Sequence, residues 1–162
     1  MIDKTGTLTL GKPVLNKIIP TSDFDENKIL FLAASLESNS EHPLANAIVT
    51  AAEKQKIDLK TPSEFNAEIG QGITGIIDGV HVALGNTKLL HSLNIDSDVF
   101  TEQANQLRSD GETVMFAVYD NKVVGLLSIS DPIKKTTPAA LKALRKEGIR
   151  IVMVTGDNKI TA

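Results

Sequence analysis

The sequence predicts two architectures in one chain: an α+β insert built on an antiparallel sheet flanked by helices, and an α/β part assembled from the two chain ends. Three observations carry this. Asp78-Gly79 and Asp120-Asn121 each join two β-rich runs as a two-residue hairpin. Two helical segments with apolar faces precede those runs. Near the C-terminus a helix leads into the apolar run Ile149 to Val154, the pattern of a buried parallel strand.

The elements follow in order. Thr21-Ser22-Asp23 offers capping groups before a helix over Asn27 to Glu37, where Ile29, Leu30, Leu32, Ala33 and Leu36 form an apolar face. Pro43 suits a first helical position, and Leu44, Ala47, Ile48, Ala51 and Ala52 recur at helical spacing behind it. The period then changes to that of strands, at Phe65 to Ile69, Ile73 to Ile77 and Val80 to Leu84. A short helix around Thr87 to Ser92 and a longer one from Ser97 to Arg108 come next, the second closed by Asp110-Gly111. Val114 to Tyr119 and Val123 to Ser130 form the second hairpin. Pro138 to Glu147 is a helix with Leu141 and Leu144 inward, and Gly148 closes it. These boundaries divide the chain into residues 1–20 with 131–162, and an insert over 21–130.

Composition narrows the chemistry. With 162 residues, 41% of them hydrophobic, the chain can bury a sizeable core. Its formal net charge of −3 is mixed along the sequence, without the basic block that nucleic acid requires. Cysteine is absent, which excludes disulfides and thiolate metal sites. No apolar run approaches the roughly 20 residues of a spanning helix. The reading is a soluble, monomeric chain that neither inserts in a membrane nor binds nucleic acid.

Two polar clusters stand out. Asp3-Lys4-Thr5-Gly6-Thr7-Leu8-Thr9 sets a carboxylate, a lysine and three hydroxyls around one glycine. Thr155-Gly156-Asp157-Asn158 follows the last apolar run, at the strand end where open α/β sheets hold ligands. Each alone could be a surface turn. Together they suit phosphoryl transfer. A carboxylate nucleophile can accept a phosphoryl group as an acyl phosphate, and the transfer needs donors around the phosphate oxygens together with Mg2+. Asp3 fits the nucleophile, and Lys4, Thr5, Gly6, Thr155 and Gly156 can supply donors. Gly70-Gln71-Gly72-Ile73-Thr74-Gly75 matches the dinucleotide-binding pattern, but it leads into β-type sequence and a hairpin instead of a helix, which disfavours a Rossmann site.

DKTGTLT resembles the phosphorylation signature of P-type ATPases, and TGDN resembles the second phosphate-site motif of the same haloacid-dehalogenase-like catalytic domain. Ser40-Glu41-His42-Pro43-Leu44 is similar to the histidine-proline motif of the heavy-metal (P1B-type) branch. The glycine string and Gly85-Asn86 resemble further nucleotide contacts of that branch. The resemblance spans essentially the whole chain and implies a phosphorylation domain, incomplete here, at 1–20 and 131–162, with a nucleotide-binding domain inserted at 21–130. It implies that ATP phosphorylates Asp3, with Lys4, Thr5, Thr155, Gly156 and Asp157 completing the catalytic set and Mg2+ held by Asp3 and Thr5. Glu41, His42, Gly70, Gly72, Gly75, Gly85 and Asn86 would hold the nucleotide. Asp131-Pro132 resembles the hinge where the chain returns from the insert.

The same resemblance implies a cytoplasmic part of a membrane pump for copper(I), with zinc, cadmium or silver as other cargoes, whose remaining domains are its partners. The later lysine and the aspartate-rich magnesium motif of the family are not in the sequence, so the expectation is nucleotide binding with weak self-phosphorylation. The other reading is a soluble phosphatase of the same superfamily, or a nucleotide-binding regulator. Thr5 argues against the phosphatase, because hydrolytic relatives commonly carry a second aspartate there as general acid and base.

Overall fold

The computed structural model describes residues 1–40 and 42–154. Its main sheet has six antiparallel strands: β2 (Val14–Pro20), β3 (Ser63–Glu68), β4 (Gly72–Ile77), β5 (Val80–Gly85), β6 (Thr113–Tyr119) and β7 (Lys122–Ser130), in the spatial order β2-β7-β6-β5-β4-β3. Both predicted hairpins are present. Asp78 and Gly79, and Asp120 and Asn121, all have positive φ, as the mirror-image turns that match strand twist require.

Helices cover both faces of this sheet, which explains why β6 and β7 are apolar almost throughout. On one face, α1 (Glu26–Glu37) and α2 (Pro43–Lys54) bury Ile29, Leu32, Leu36 and Ile48 against Ile73, Leu84, Ala117 and Leu127. On the other, α3 (Thr87–Ser92) and α4 (Thr101–Ser109) bury Leu89, Leu90, Ala104 and Leu107 against Phe116, Val118 and Leu126. The period-2 alternation of β6 sorts its side chains between the two cores: Val114, Phe116 and Val118 to one, Met115, Ala117 and Tyr119 to the other.

The chain ends meet in a second, two-stranded parallel sheet. There β1 (Ile2–Asp3) pairs with β8 (Met153–Val154), with Asp3 opposite Val154, and α5 (Thr137–Lys146) precedes β8. Among the described residues, no helix is long and apolar enough to cross a membrane.

Several expectations need correction. The strand β2 is absent from the sequence reading, which leaves residues 14–20 with the terminal part; it is an outer strand of the main sheet, and a bulge between Leu15 and Lys17 breaks its alternation. The cap of α1 is Asp25, whose carboxylate accepts from Lys28 N–H at 2.7 Å, and not Thr21 to Asp23. A single turn of 3-10 helix at Asp98–Phe100 precedes α4, so the helix starts later than Ser97. Ile69 lies in the turn after β3, 99% exposed. The run 149–154 is parallel only over its last two residues and is not buried, for Ile149 and Val152 are half exposed. Leu141 and Leu144 on α5 are only half buried.

Candidate functional site

The Asp3 loop owes its shape to one glycine. Thr5 (φ −73°, ψ 125°) and Gly6 (φ 75°, ψ −17°) have the angles of a type II turn, whose second central position needs positive φ. Thr9, buried at the end of the loop, accepts from Gly6 N–H at 3.0 Å and donates its hydroxyl proton to Asp131 at 2.5 Å. The Asp131 carboxylate also accepts from the N–H groups of Gly11 (3.2 Å) and Lys12 (3.0 Å). Further along, Lys134 Nζ donates to the Gly6 carbonyl at 2.6 Å. Leu8 offers its carbonyl to the Thr137 hydroxyl at 2.7 Å and to Lys134 N–H at 3.0 Å. Residues 131–137 therefore hold the loop from one side through its carbonyls and its Thr9 hydroxyl, and Asp3 is left exposed at the end of β1.

His42 sits across from this loop. Its Nδ1 accepts from Leu44 N–H at 3.2 Å and caps α2, with Pro43 at the first helical position. The capping bond assigns the remaining proton of the neutral ring to Nε2, which leaves that edge available as a donor. A cleft of about 340 Å³ is lined by His42, Pro43 and Leu44 of the α2 start, by Lys4, Thr5 and Asp131, and by Gly111, Thr113, Ile129 and Ser130 at the edge of the sheet.

The glycine features form a corner at the same end of the sheet. Strand register places Gly72 opposite Gly85, Gly85 opposite Phe116, Thr113 opposite Ile129 and Val14 opposite Ser130. The starts of β2, β4 and β6 and the ends of β5 and β7 thus share one edge. Asn86 ties the corner together. Its N–H donates to the Gln71 carbonyl at 2.8 Å, its Nδ2 to the Gly70 carbonyl at 2.9 Å, and its Oδ1 accepts from Lys88 N–H.

The four glycines differ in role. Gly70 has φ +71° and open space where a Cβ would stand, so its backbone is the approachable one. Gly72 and Gly85 are pressed together: a Cβ on Gly85 would lie 2.5 Å from both the Gln71 carbonyl and Leu89 Cδ2. Gly75 lets α1 lie close, with Leu36 Cδ2 3.0 Å from its ideal Cβ position. These three are demanded by packing, whatever else they do.

The protein-family comparison decides the kinship: all of residues 1–162 match the model of a haloacid dehalogenase-like hydrolase. The chain belongs to that family. Over all 162 residues it is 49% identical to a copper-transporting P-type ATPase of Rhizobium leguminosarum bv. viciae, of which it covers 19%. It spans about a fifth of the length of the curated relatives it matches. Among solved structures, a zinc-transporting PIB-type ATPase in the E2.Pi state superposes with a TM-score of 0.77 at 33% identity, over 98% of this chain and 26% of that one. The N-domain of HMA8, a copper-transporting P-type ATPase, superposes with a TM-score of 0.60 at 26% identity, over 72% of this chain and 99% of that domain. Homology to the heavy-metal P-type ATPases thus runs the length of the chain.

For this haloacid dehalogenase-like chain the expected residues fall into three groups. Asp3, Lys4 and Thr5 lie in the loop, with Lys4, Thr5 and His42 lining one cleft; Gly70, Gly72, Gly85 and Asn86 form the corner. Gly75 lies in mid-strand, opposite Val82. Glu41, Thr155, Gly156 and Asp157 lie outside the described residues. Parallel pairing sets Asp3 opposite Val154, the residue immediately before Thr155 in the chain.

Sequence reasoning passed over Asp131 as a side chain, Lys134, Thr137 and Glu37. Glu37 is buried at the end of α1, and burial raises its pKa despite a hydrogen bond to Ser40. Ser40 Oγ in turn accepts from His42 N–H at 3.3 Å, which links the carboxyl to the histidine's backbone. The only sequence signal was an acid ending an otherwise buried helix.

Because the folded chain holds the Glu37 proton more tightly than the unfolded one, stability falls as pH rises above the ordinary value of 4.5 and through the raised folded value. Glu37→Gln is expected to melt higher than the parent chain at pH 7, with the gap closing below pH 4.5. Paired thermal melts across that range check this.

Proposed function

We propose that the chain is the nucleotide-binding and phosphoryl-accepting cytosolic segment of a heavy-metal-transporting P-type ATPase. The observation that carries the reading is the cleft that His42 shares with Lys4 and Thr5 of the Asp3 loop. An adenine beside the His42 ring can stack on its face, or in an edge-on pose accept from its Nε2–H, while the triphosphate runs toward Asp3. The Asp3 carboxylate attacks the γ-phosphorus of ATP, the bond from that phosphorus to the bridging oxygen of ADP breaks, and ADP leaves with the electron pair. The product is an acyl phosphate on Asp3. With threonine at position 5, this side chain supplies no carboxyl base to hydrolyse it, a property that suits an intermediate coupled to cation transport.

The residues fit Mg2+ in kind, since Asp3 and Thr5 offer hard oxygen donors. Among the described residues no group of three His, Cys, Asp or Glu side chains could form a complete cage, so water and nucleotide phosphates would fill the remaining positions. Bound Mg2+ would offset the charge of the phosphates. Lys4 adds positive charge on the same side.

The Glu41 carboxylate, beside His42 in sequence, can accept from the exocyclic amine of adenine, and Glu37 supports the His42 backbone from within through Ser40. We assign residues 14–130 to the nucleotide-binding unit, because β2 completes its sheet, and residues 1–13 and 131–162 to the phosphorylation unit. The cargo is copper(I) by kinship, carried by membrane ligands outside this sequence. The remaining domains of such a pump are its partners, and the segment itself works as a monomer.

Nucleotide titration followed by amide shifts tests the reading. ATP is expected to perturb His42, Gly70 to Gly72, Gly85 and Asn86 first. His42→Ala is expected to weaken ATP about tenfold while costing about 1 kcal/mol of stability through the lost helix cap. Shifts confined to α3 and α4, or no saturable binding, would sink the proposal.

A further inference from the structure

The cleft that holds His42, Lys4 and Thr5 also offers a polar side chain that no motif marks. Thr113 opens β6, half buried, and lines the same cleft as His42, Lys4, Thr5 and Gly111. Its neighbours on that face of β6 are Met115 and Ala117, both packed in the core beneath α1 and α2. The column therefore changes from apolar to hydroxyl where the sheet emerges from under the helices into the cleft. Among the described residues, no hydrogen bond is made by the Thr113 hydroxyl.

Gly111, two residues earlier, has φ +81° at the left-handed end of α4, and its N–H donates to the Arg108 carbonyl. It adds no side chain to the cleft, whereas Thr113 adds a hydroxyl that no described residue engages. Ser130 Oγ, in the same cleft, accepts from Asn16 Nδ2 at 2.7 Å, which fixes that hydroxyl against β2 and leaves its proton to donate.

We infer that Thr113 is a binding residue for the diphosphate portion of the nucleotide, its hydroxyl donating to a β-phosphate oxygen. This rests on the nucleotide reading above and adds to it which group recognises the chain length of the phosphate. Base and phosphate recognition are then separate: His42 acts on every adenine compound, and Thr113 only on those with two phosphates or more.

The test is calorimetric titration of the 162-residue chain with adenosine, AMP, ADP and ATP, for the parent, Thr113→Val, Thr113→Ser and His42→Ala. Losing one hydrogen bond to a charged oxygen is expected to weaken ADP and ATP about tenfold or more in Thr113→Val. Adenosine and AMP stay within about twofold, and Thr113→Ser regains the ADP affinity. His42→Ala weakens all four. Unchanged ADP binding by Thr113→Val overturns the inference, as does an equal loss for adenosine, which would mark a contact with the base or a disturbed fold. If the parent chain binds none of the four, the nucleotide reading fails, and this inference fails with it.

Discussion

Gly72→Val is expected to cost about 3 kcal/mol of stability or more, through both overpacking and backbone strain. At φ +152° the residue lies where side chains are rarely found, and a Cβ there would overlap the Leu84 carbonyl and stand 2.5 Å from Gly85 Cα. Neither obstacle is a flexible side-chain end. Both belong to the facing strand, so β4 and β5 would have to part. Leu89, fully buried, presses on the same spot with Cδ2 2.8 Å away, which carries the disturbance into the second core. Gly70→Ala makes the informative contrast. It meets no atom and bears only the cost of positive φ, about 1 kcal/mol. Urea unfolding of both variants checks this; near-equal midpoints would refute it. The comparison matters for function too, since weaker nucleotide binding by Gly72→Val alone could not be assigned to lost ligand contact.

Asp131→Ala is expected to release the Asp3 loop. One carboxylate receives the Thr9 hydroxyl and the N–H groups of Gly11 and Lys12, and thereby joins the segment leaving the loop to the one returning from the insert. Removing it takes the acceptor from three donors, of which the Thr9 hydroxyl, on a buried residue, keeps only the longer bond to the Lys4 carbonyl at 3.2 Å. Each lost bond to a charged acceptor is worth about 1.5–3 kcal/mol in favourable cases, but Gly11 and Lys12 are exposed and water replaces the acceptor there. A net loss of about 2 kcal/mol follows. The sharper sign is local. Amide hydrogen exchange at Gly6, Gly11 and Lys12 should quicken by at least about tenfold, while the amides of β6 keep their protection. Uniform quickening throughout the chain would mean that Asp131 serves the whole fold and not the loop. Thr9→Val, which removes the hydroxyl linking Gly6 to Asp131, should loosen Gly6 while leaving the Gly11 and Lys12 bonds in place.

Local rules made most of the insert legible. The two hairpins were readable because left-handed turn pairs have a narrow residue preference, and Asp78-Gly79 and Asp120-Asn121 satisfy it. The helices α1 and α2 were readable from apolar spacing. The strand β2 escaped because Val14-Leu15-Asn16-Lys17-Ile18-Ile19 alternates cleanly only if the bulge is known in advance. The apolar run 149–154 misled in the other direction: hydrophobicity records a capacity to be buried, and here only two of its residues are paired in a strand.

By itself the sequence determined the chemistry on offer: a carboxylate beside a glycine turn, a histidine before a proline-started helix, and glycines at strand ends. Those are properties of residue type and spacing, which chemistry constrains directly. Only the tertiary structure decided which of these groups meet. It brought His42 to Lys4 and Thr5, made Asp131 the clamp of a loop more than a hundred residues away in the chain, and separated the open Gly70 from the packed Gly72, Gly75 and Gly85. Such contacts arise from strand order and from the packing of helices against the sheet, and no local stretch of sequence contains either.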